Sequence, residues 1–276
     1  MPGDWLREQF SLDEQVAVVT GGGGALGSAM AHGLAQAGAR VALVGRRQQR
    51  VEDAAAEIAA TGAEAIGLPA DVHDEFQLES VRDAMLAQWG RIDILVNAAG
   101  GNIPGATLAP GASFFDLPIE AFHEVVDLNL LGTILPSQVF GAVMAASGRG
   151  SIVNISSMTA ARPITRVAGY SAAKAAVDNF TRWLATELAR SHGDGLRVNA
   201  IAPGFFIGEQ NRALLIDESG ELTERGQQVV AHTPAGRFGL AAELAGTVVW
   251  LCSPAASFVN GVVIPVDGGF GSFSGV

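Results

Sequence analysis

The chain has 276 residues, of which 49% are hydrophobic and 16% are charged, and its formal net charge is −11. This composition is typical of one packed globular domain and excludes a disordered or repetitive chain. The acidic balance disfavours nucleic acid and anionic membrane surfaces as partners. A single cysteine excludes an internal disulfide and a multi-cysteine zinc cluster, and the N-terminus is too polar for a secretory signal. We therefore expect a cytoplasmic protein without a metal site.

Short β-branched runs alternate with segments of helical periodicity along the chain. Strands are predicted at 16–20, 41–44, 92–97, 151–155, 196–201 and 262–266, and helices at 25–37, 48–60, 74–89, 119–146, 168–191 and 241–251. This alternation predicts an α/β fold with a doubly wound parallel sheet and helices on both faces. Residues 1–276 are expected to form one domain, with a mobile lid over a site at about 204–240.

A glycine-rich turn, "TGGGGALG" at 20–27, joins the first predicted strand to the first predicted helix. Such a turn lets the backbone approach a pyrophosphate, and the helix N-terminus offers free N–H groups to it. The alternative is a tight turn with nothing bound. The residues of this turn that are predicted to hold a dinucleotide are Gly21, Gly23, Gly24, Ala25, Leu26 and Gly27.

The end of the second predicted strand indicates which dinucleotide is preferred. An acidic residue there would bind the ribose 2′-hydroxyl of NAD, but Gly45 is followed by Arg46 and Arg47. A guanidinium can bind a phosphate through two parallel bonds, so NADP(H) is favoured and NAD(H) is possible. The alternative is a solvated arginine pair. Asp71 is a candidate for the adenine amine, although a helix-capping aspartate looks similar in sequence.

The chain's one tyrosine and one lysine, Tyr170 and Lys174, are one helical turn apart. On a helix they share a face, so the lysine cation can lower the pKa of the phenol towards neutrality and make it an acid/base. Ser157, just past a predicted strand, is placed to bond a substrate oxygen. Asn129, inside a predicted helix, is a candidate to hold a water that relays protons from Lys174. Each residue also has a structural interpretation. Tyr170 could be an amphipathic anchor and Lys174 a solvated charge. Ser157 could cap the strand end, and Asn129 could form a bond at a helix kink.

Taken together, these residues resemble the short-chain dehydrogenase/reductase family over about residues 14–269. The resemblance is carried by the glycine turn, Asp71, "NAAG" at 97–100, the four residues Asn129, Ser157, Tyr170 and Lys174, and "PG" at 203–204. It implies a Rossmann-type fold and reversible hydride transfer between a nicotinamide and a carbinol or carbonyl carbon. Tyr170 would be the acid/base, Ser157 would orient the oxygen, and Lys174 would also hold the nicotinamide ribose.

The same resemblance implies further cofactor contacts and an oligomer, here a homotetramer. The implied cofactor contacts are Val72, Asn97, Ala98, Ala99, Gly100, Pro203, Gly204 and Ile207. Two positions depart from the family pattern. Ala25 stands where the middle glycine of the turn is expected, and Gly208 stands where a threonine often holds the carboxamide. We expect a small adjustment at the first position and backbone contacts from Ile207 or Gly208 at the second.

Polar and cationic side chains cluster where a substrate would lie and suit a polyhydroxylated anion. The substrate-binding candidates are Asn102, Ser157, Arg162, Arg166, Gln210, Asn211 and Arg212. "AAGGNIPGAT", "NISSMTAARPITR", "APGFFIGEQNR" and "HTPAGRFG" resemble the D-mannonate oxidoreductase branch of the family, also called fructuronate reductases. This implies reduction of a small keto sugar acid, D-fructuronate, to D-mannonate. The alternatives are another ketose, a polyol, a 3-oxoacyl thioester, or a nicotinamide-binding sensor without turnover; the arginines could instead serve subunit contacts.

Overall fold

Seven parallel strands form one sheet in the computed structural model, which describes residues 2–209 and 211–275. The sheet order is β3-β2-β1-β4-β5-β6-β7. The strands are β1 Val16–Thr20, β2 Arg40–Gly45, β3 Ala65–Pro69, β4 Ile94–Asn97, β5 Gly150–Ile155, β6 Leu196–Pro203 and β7 Val263–Val266. The predicted single-domain, doubly wound Rossmann-type fold is confirmed.

Helices cover both faces of this sheet. They are α1 Pro2–Phe10, α2 Ala25–Gln36, α3 Gln48–Ala59, α4 Glu75–Trp89, α5 Ile119–Val126, α6 Gly132–Ser147, α7 Ala168–His192, α8 Arg212–Leu215, α9 Glu224–Ala231 and α10 Ala245–Cys252. Alternate residues of each strand point to opposite faces. Ala17 and Val19 of β1 therefore pack with α2, α3 and α10, whereas Val16 and Val18 pack with α4, α6 and α7.

The sequence prediction omitted four elements, namely β3, α1, and the two short helices α8 and α9 of the irregular segment after β6. Strand β3 lies at the edge of the sheet, and its sequence AIGLP contains Gly67 and Pro69 instead of a β-branched run. A side chain at Gly67 would lie 2.5 Å from the backbone of Val51, so close packing of α3 requires glycine in this strand. Helix α1 was missed because it is short and mostly polar, with its apolar residues Trp5 and Leu6 exposed.

The single helix predicted at 119–146 is divided by a π-helical turn at Asp127–Leu131. The segment Ile119–Ser147 is long and apolar enough to span a membrane by length and composition, and 44% of its apolar window is buried. Its residues Phe140 and Met144 pack against the sheet with no exposed surface. The apolar character of this helix is thus accounted for by its place in the core.

Candidate active site

The glycine turn lies at the carboxyl ends of β1 and β4. Between these two strands the direction in which strands are added to the sheet reverses, and α/β proteins bind ligands at such a switch point. Gly21 has φ +65°, and a Cβ there would come within 2.6 Å of the carbonyl oxygen of Ala98. A Cβ at Gly27 would lie 2.3 Å from the carbonyl oxygen of Gly21. Both positions therefore require glycine, because the turn, β4 and α2 approach one another at backbone distance.

Helix α2 begins directly after this turn without a side-chain cap. Gly24 occupies the N-cap position, and its N–H donates to the carbonyl of Gly21 at 2.9 Å. The N–H groups of the first turn have no partner within the helix and suit an anionic phosphate. Ala25 is exposed, so its methyl group does not crowd this turn, while Leu26 packs into the core. The turn thus offers the free N–H groups that a dinucleotide pyrophosphate needs, and its binding there stays a prediction.

The arginines after β2 differ in how they are engaged. Arg46 keeps 71% of its side chain exposed and lies 4.0 Å from the carboxylate of Asp71. Asp71 also accepts from the backbone N–H of His73 at 3.0 Å. Arg47 lies 3.7 Å from Glu209 of the predicted lid, and Arg50 lies 2.6 Å from the same carboxylate. Arg46 is therefore the more available of the two arginines predicted to bind the cofactor.

Residues of β4 and the following loop separate into core and surface positions. The side chain of Asn97 is buried, and its amide donates to Ser137 and to Asn154 at 2.9 Å each, so this side chain holds the core together. Ala98, Ala99 and Gly100 continue past the strand end and are partly exposed. The N–H of Ala99 donates to the hydroxyl of Thr20 at 3.2 Å. Thr20, which was not predicted as a site residue, thus joins the ends of β1 and β4.

The remaining predicted cofactor contacts are at neighbouring strand ends. Val72 is buried beside Gly132 of α6. Pro203 ends β6, and a Cβ at Gly204 would lie 2.7 Å from the backbone of Asp267, which explains the glycine. Ile207 is partly exposed in the segment after β6. Gly208 donates its N–H to Asn211 at 2.8 Å.

Ser157, Tyr170 and Lys174 come together where β5 ends and α7 begins. The Ser157 hydroxyl lies near the Tyr170 phenol and acts to lower its pKa. The Lys174 ammonium is buried, lies 5.7 Å from the centre of the Tyr170 ring and donates to the carbonyl of Ile155 at 2.7 Å. Helical spacing therefore brings the phenol and the ammonium to one side of α7, with the Ser157 hydroxyl beside the phenol.

Asn129 is fully buried on the π-helical turn. Its amide donates to the carbonyls of Gly101 and Val125 at 2.8 Å, and its oxygen accepts from the N–H of Gly101 at 3.0 Å. A Cβ at Gly100 would lie 2.7 Å from this amide oxygen and 3.3 Å from the Lys174 nitrogen. Asn129 thus fixes the loop after β4 beside Lys174, and its part in a proton relay stays a prediction.

Burial governs the titration of the tyrosine–lysine pair. Burial raises the pKa of Tyr170, and the nearby Ser157 hydroxyl opposes the rise. Burial lowers the pKa of Lys174 to about 8, and the charge of Asp178 opposes this fall. Burial is the largest influence on both groups, because both lose hydration and their neutral forms are favoured. A lowering of the Tyr170 pKa by the Lys174 charge stays a prediction.

Asp178, one further turn along α7, is a neighbour that the sequence prediction missed. Its carboxylate accepts from the hydroxyl of Ser156, and burial raises its pKa. The spacing of Tyr170, Lys174 and Asp178 is the signal that could have identified it, since all three lie on one helix face. Thr159 was also missed; its buried hydroxyl has no hydrogen-bond partner in the described part of the chain.

The predicted substrate residues are arranged less uniformly. Asn102 bonds to Thr107, and its amide oxygen is buried without a described partner. Arg162 donates to the carbonyl of Gly271 at 2.9 Å, and Arg166 donates to the carbonyl of Leu108. In the segment after β6, the Asn211 side chain accepts from the N–H of Gly208 and donates to the carbonyl of Phe206, both at 2.8 Å. Arg212 is exposed at the start of α8. The candidate Gln210 lies outside the described residues.

Comparison with known proteins agrees with this arrangement. A family model described as enoyl-(acyl carrier protein) reductase, of the short-chain dehydrogenase/reductase type, matches residues 23–271. The chain belongs to the short-chain dehydrogenase/reductase family. It is therefore an oxidoreductase of CH–OH groups, in a family that uses NAD or NADP.

Three relatives share nearly the full length of the chain. An uncharacterized oxidoreductase of Bacillus subtilis is 44% identical, with 96% of this chain and 98% of the relative covered. A solved structure from Haemophilus influenzae, provisionally described as a D-mannonate oxidoreductase with bound NAD, is 40% identical with a TM-score of 0.90, covering 98% and 100%. A gluconate 5-dehydrogenase from Burkholderia cenocepacia, solved with NADP and tartrate, is 33% identical with a TM-score of 0.85, covering 97% and 99%.

Proposed function

We propose that this protein is an NAD(P)H-dependent reductase of a keto sugar acid that interconverts D-fructuronate and D-mannonate. The observation that carries the chemistry is the placement of Ser157, Tyr170 and Lys174 together at the end of β5. The relatives described as acting on D-mannonate and gluconate support the sugar-acid class. A cytoplasmic location is part of the proposal.

A nicotinamide dinucleotide bound at the glycine turn supplies or accepts the hydride. The chain's own residues handle the proton and the oxygen. Ser157 and Tyr170 both bond the carbonyl oxygen, and Tyr170 donates its proton as that oxygen gains negative charge. In the opposite direction the phenolate oxygen of Tyr170 takes the proton of the alcohol. General acid catalysis of this kind contributes about 100- to 10,000-fold to the rate.

Lys174 has two roles in this proposal. It holds the nicotinamide ribose, and its positive charge stabilises the phenolate that remains after proton donation. Because the pKa of Lys174 is about 8 in this structure, the lysine can also pass a proton near neutral pH. Asn129, which fixes the loop at Gly101 beside this ammonium, is placed to support a proton relay to solvent.

Cationic side chains favour an anionic substrate. Arg162 and Arg166 lie in the loop between Ser157 and Tyr170, and Arg212 lies in the predicted lid after β6. Neither Arg162 nor Arg166 has a carboxylate within 4.0 Å among the described residues. A carboxylate held by guanidinium groups gains charge-assisted hydrogen bonds that a fatty thioester cannot make.

Oxidation of NADPH and NADH, followed by absorbance, tests the proposed substrate. D-fructuronate, tagaturonate, simple ketoses and an acetoacetyl thioester are compared at equal concentration. We expect rapid turnover with D-fructuronate only. Faster turnover of the thioester or of an uncharged ketose would replace the proposed substrate, and cofactor binding without turnover of any compound would favour a sensor.

A further inference from the structure

Arg225 of α9 lies against the loop that precedes the catalytic tyrosine. Its guanidinium donates to the hydroxyl of Thr165 at 3.4 Å, and Thr165 is the chain neighbour of Arg166. The side chain is partly buried. Helix α9 therefore brings a second guanidinium to the position where Arg166 already lies, although 59 residues separate them in the sequence.

Arg166 is held in an uncommon backbone conformation. Its φ is +78°, and Glu14 is the other described non-glycine residue with a positive φ. Arg166 donates its Nε–H to the carbonyl of Leu108, and the Leu108 N–H donates back to the Arg166 carbonyl at 2.9 Å. Left-handed conformations of bulky residues persist where the surrounding structure enforces them, often at ligand sites. The terminal nitrogens of Arg166 donate no hydrogen bond within the described residues and remain available.

The two guanidinium groups have no anionic counterpart in the described part of the chain. No described carboxylate lies within 4.0 Å of Arg166 or Arg225, although acidic residues outnumber basic ones by 28 to 17. The pKa of Arg225 is lowered, first by burial and then by the charge of Arg166, so the two cations repel each other. An anion placed between them would relieve this repulsion.

We propose that Arg225 and Arg166 together bind the carboxylate of the substrate, with Thr165 holding the Arg225 guanidinium in place. The inference rests on the proposed function, because it assigns the acid group of the sugar acid to a site next to the loop that carries Ser157 and Tyr170.

Substitution Arg225→Gln tests this site by replacing the charged guanidinium with a shorter, uncharged amide. D-fructuronate and D-fructose differ in carrying a carboxylate or a hydroxymethyl group at one end. We expect Arg225→Gln to lower kcat/KM for D-fructuronate about 10- to 100-fold, mainly through KM, and to change that for D-fructose less than about twofold. Arg225→Lys should recover part of the loss, because the charge returns without the planar fork. The matched control is Arg190→Gln, which removes one exposed charge at the far end of α7.

Calorimetric titration of the NADPH complex separates failure of this inference from failure of the proposed substrate. The probes are D-mannonate, D-gluconate and tartrate, with mannitol as the uncharged counterpart. Carboxylate binding that is lost in Arg225→Gln supports the site even if D-fructuronate is not reduced. Carboxylate binding unaffected by Arg225→Gln, equal losses for charged and uncharged substrates, or no measurable binding of any carboxylate would overturn it.

Discussion

Tyr170 has the Ser157 hydroxyl and the Lys174 ammonium as polar neighbours. We predict that Tyr170→Phe lowers kcat for the keto sugar acid by at least about 100-fold, because the phenylalanine ring cannot transfer a proton. NADPH affinity, measured by fluorescence titration, should be retained, since the ring itself is preserved. Turnover equal to that of the wild type would remove Tyr170 from the mechanism.

Arg46 is the exposed guanidinium at the end of β2, where an acidic residue would favour NAD. We predict that Arg46→Ala raises the dissociation constant of NADPH about 10-fold or more and changes that of NADH little, because only NADPH carries the 2′-phosphate. Arg190→Ala serves as the control for loss of one positive charge. An equal loss for both cofactors would reject phosphate binding by Arg46 and favour NAD, which is bound in the Haemophilus relative.

Lys174 gives the cofactor-free protein a pH dependence of a defined sign. Its folded-state pKa of about 8 lies below the ordinary 10.5, so above pH 8 the unfolded chain holds more protons than the folded chain. The free energy of unfolding should therefore rise relative to that of Lys174→Met, by about 2 kcal/mol between pH 8 and pH 10. Urea titrations of both proteins across this range provide the measurement. Parallel pH profiles would contradict the depressed pKa.

Among elements, the glycine turn has the strictest steric requirement. Gly21 and Gly62 both have positive φ, but Gly62 has no atom within 4 Å of an added Cβ, whereas Gly21 would meet Ala98 at 2.6 Å. We predict that Gly62→Ala costs about 1 kcal/mol through left-handed strain alone. Gly21→Ala should cost at least about 2 kcal/mol more through overpacking, and should also weaken NADPH binding. Thermal unfolding of both variants measures the loss of stability, and NADPH titration of Gly21→Ala measures the loss of binding. Similar melting temperatures for Gly21→Ala and Gly62→Ala would show that the turn can relax.

The elements also show why some features follow from the sequence and others do not. The alternation of β-branched runs and helical segments was sufficient for six of the seven strands, because buried parallel strands need continuous apolar sequence, which β3 lacks. The Tyr170 and Lys174 pair followed from helical spacing, which is local. The π-helical turn could not be predicted from the sequence. It contains Asn129, whose hydrogen bonds to Gly101 depend on a residue 28 positions away in the chain. Arg225 was missed for the same reason: its approach to Thr165 depends on the tertiary path of α9.

At the scale of the whole molecule, the layer formed by α4, α6 and α7 leaves large aromatic side chains exposed. Phe76 on α4 is 81% exposed and Trp183 on α7 is 59% exposed. Single exposed apolar residues are common in monomers, but helices of one layer that both present aromatic side chains suit an interface. We predict that the protein is a homotetramer in solution and that this layer takes part in its assembly.

Light scattering coupled to size-exclusion chromatography tests the assembly. Trp183→Glu should shift the protein to smaller species, because a carboxylate at a buried interface loses its hydration without gaining a partner. Leu6→Glu on α1 is the matched control, since Leu6 is also 59% exposed but belongs to a different helix. Each protomer carries a formal charge of −11, so salt should favour assembly by screening repulsion between copies. A wild-type monomer, or equal dissociation of both variants, would show that the α4, α6 and α7 layer is not the interface.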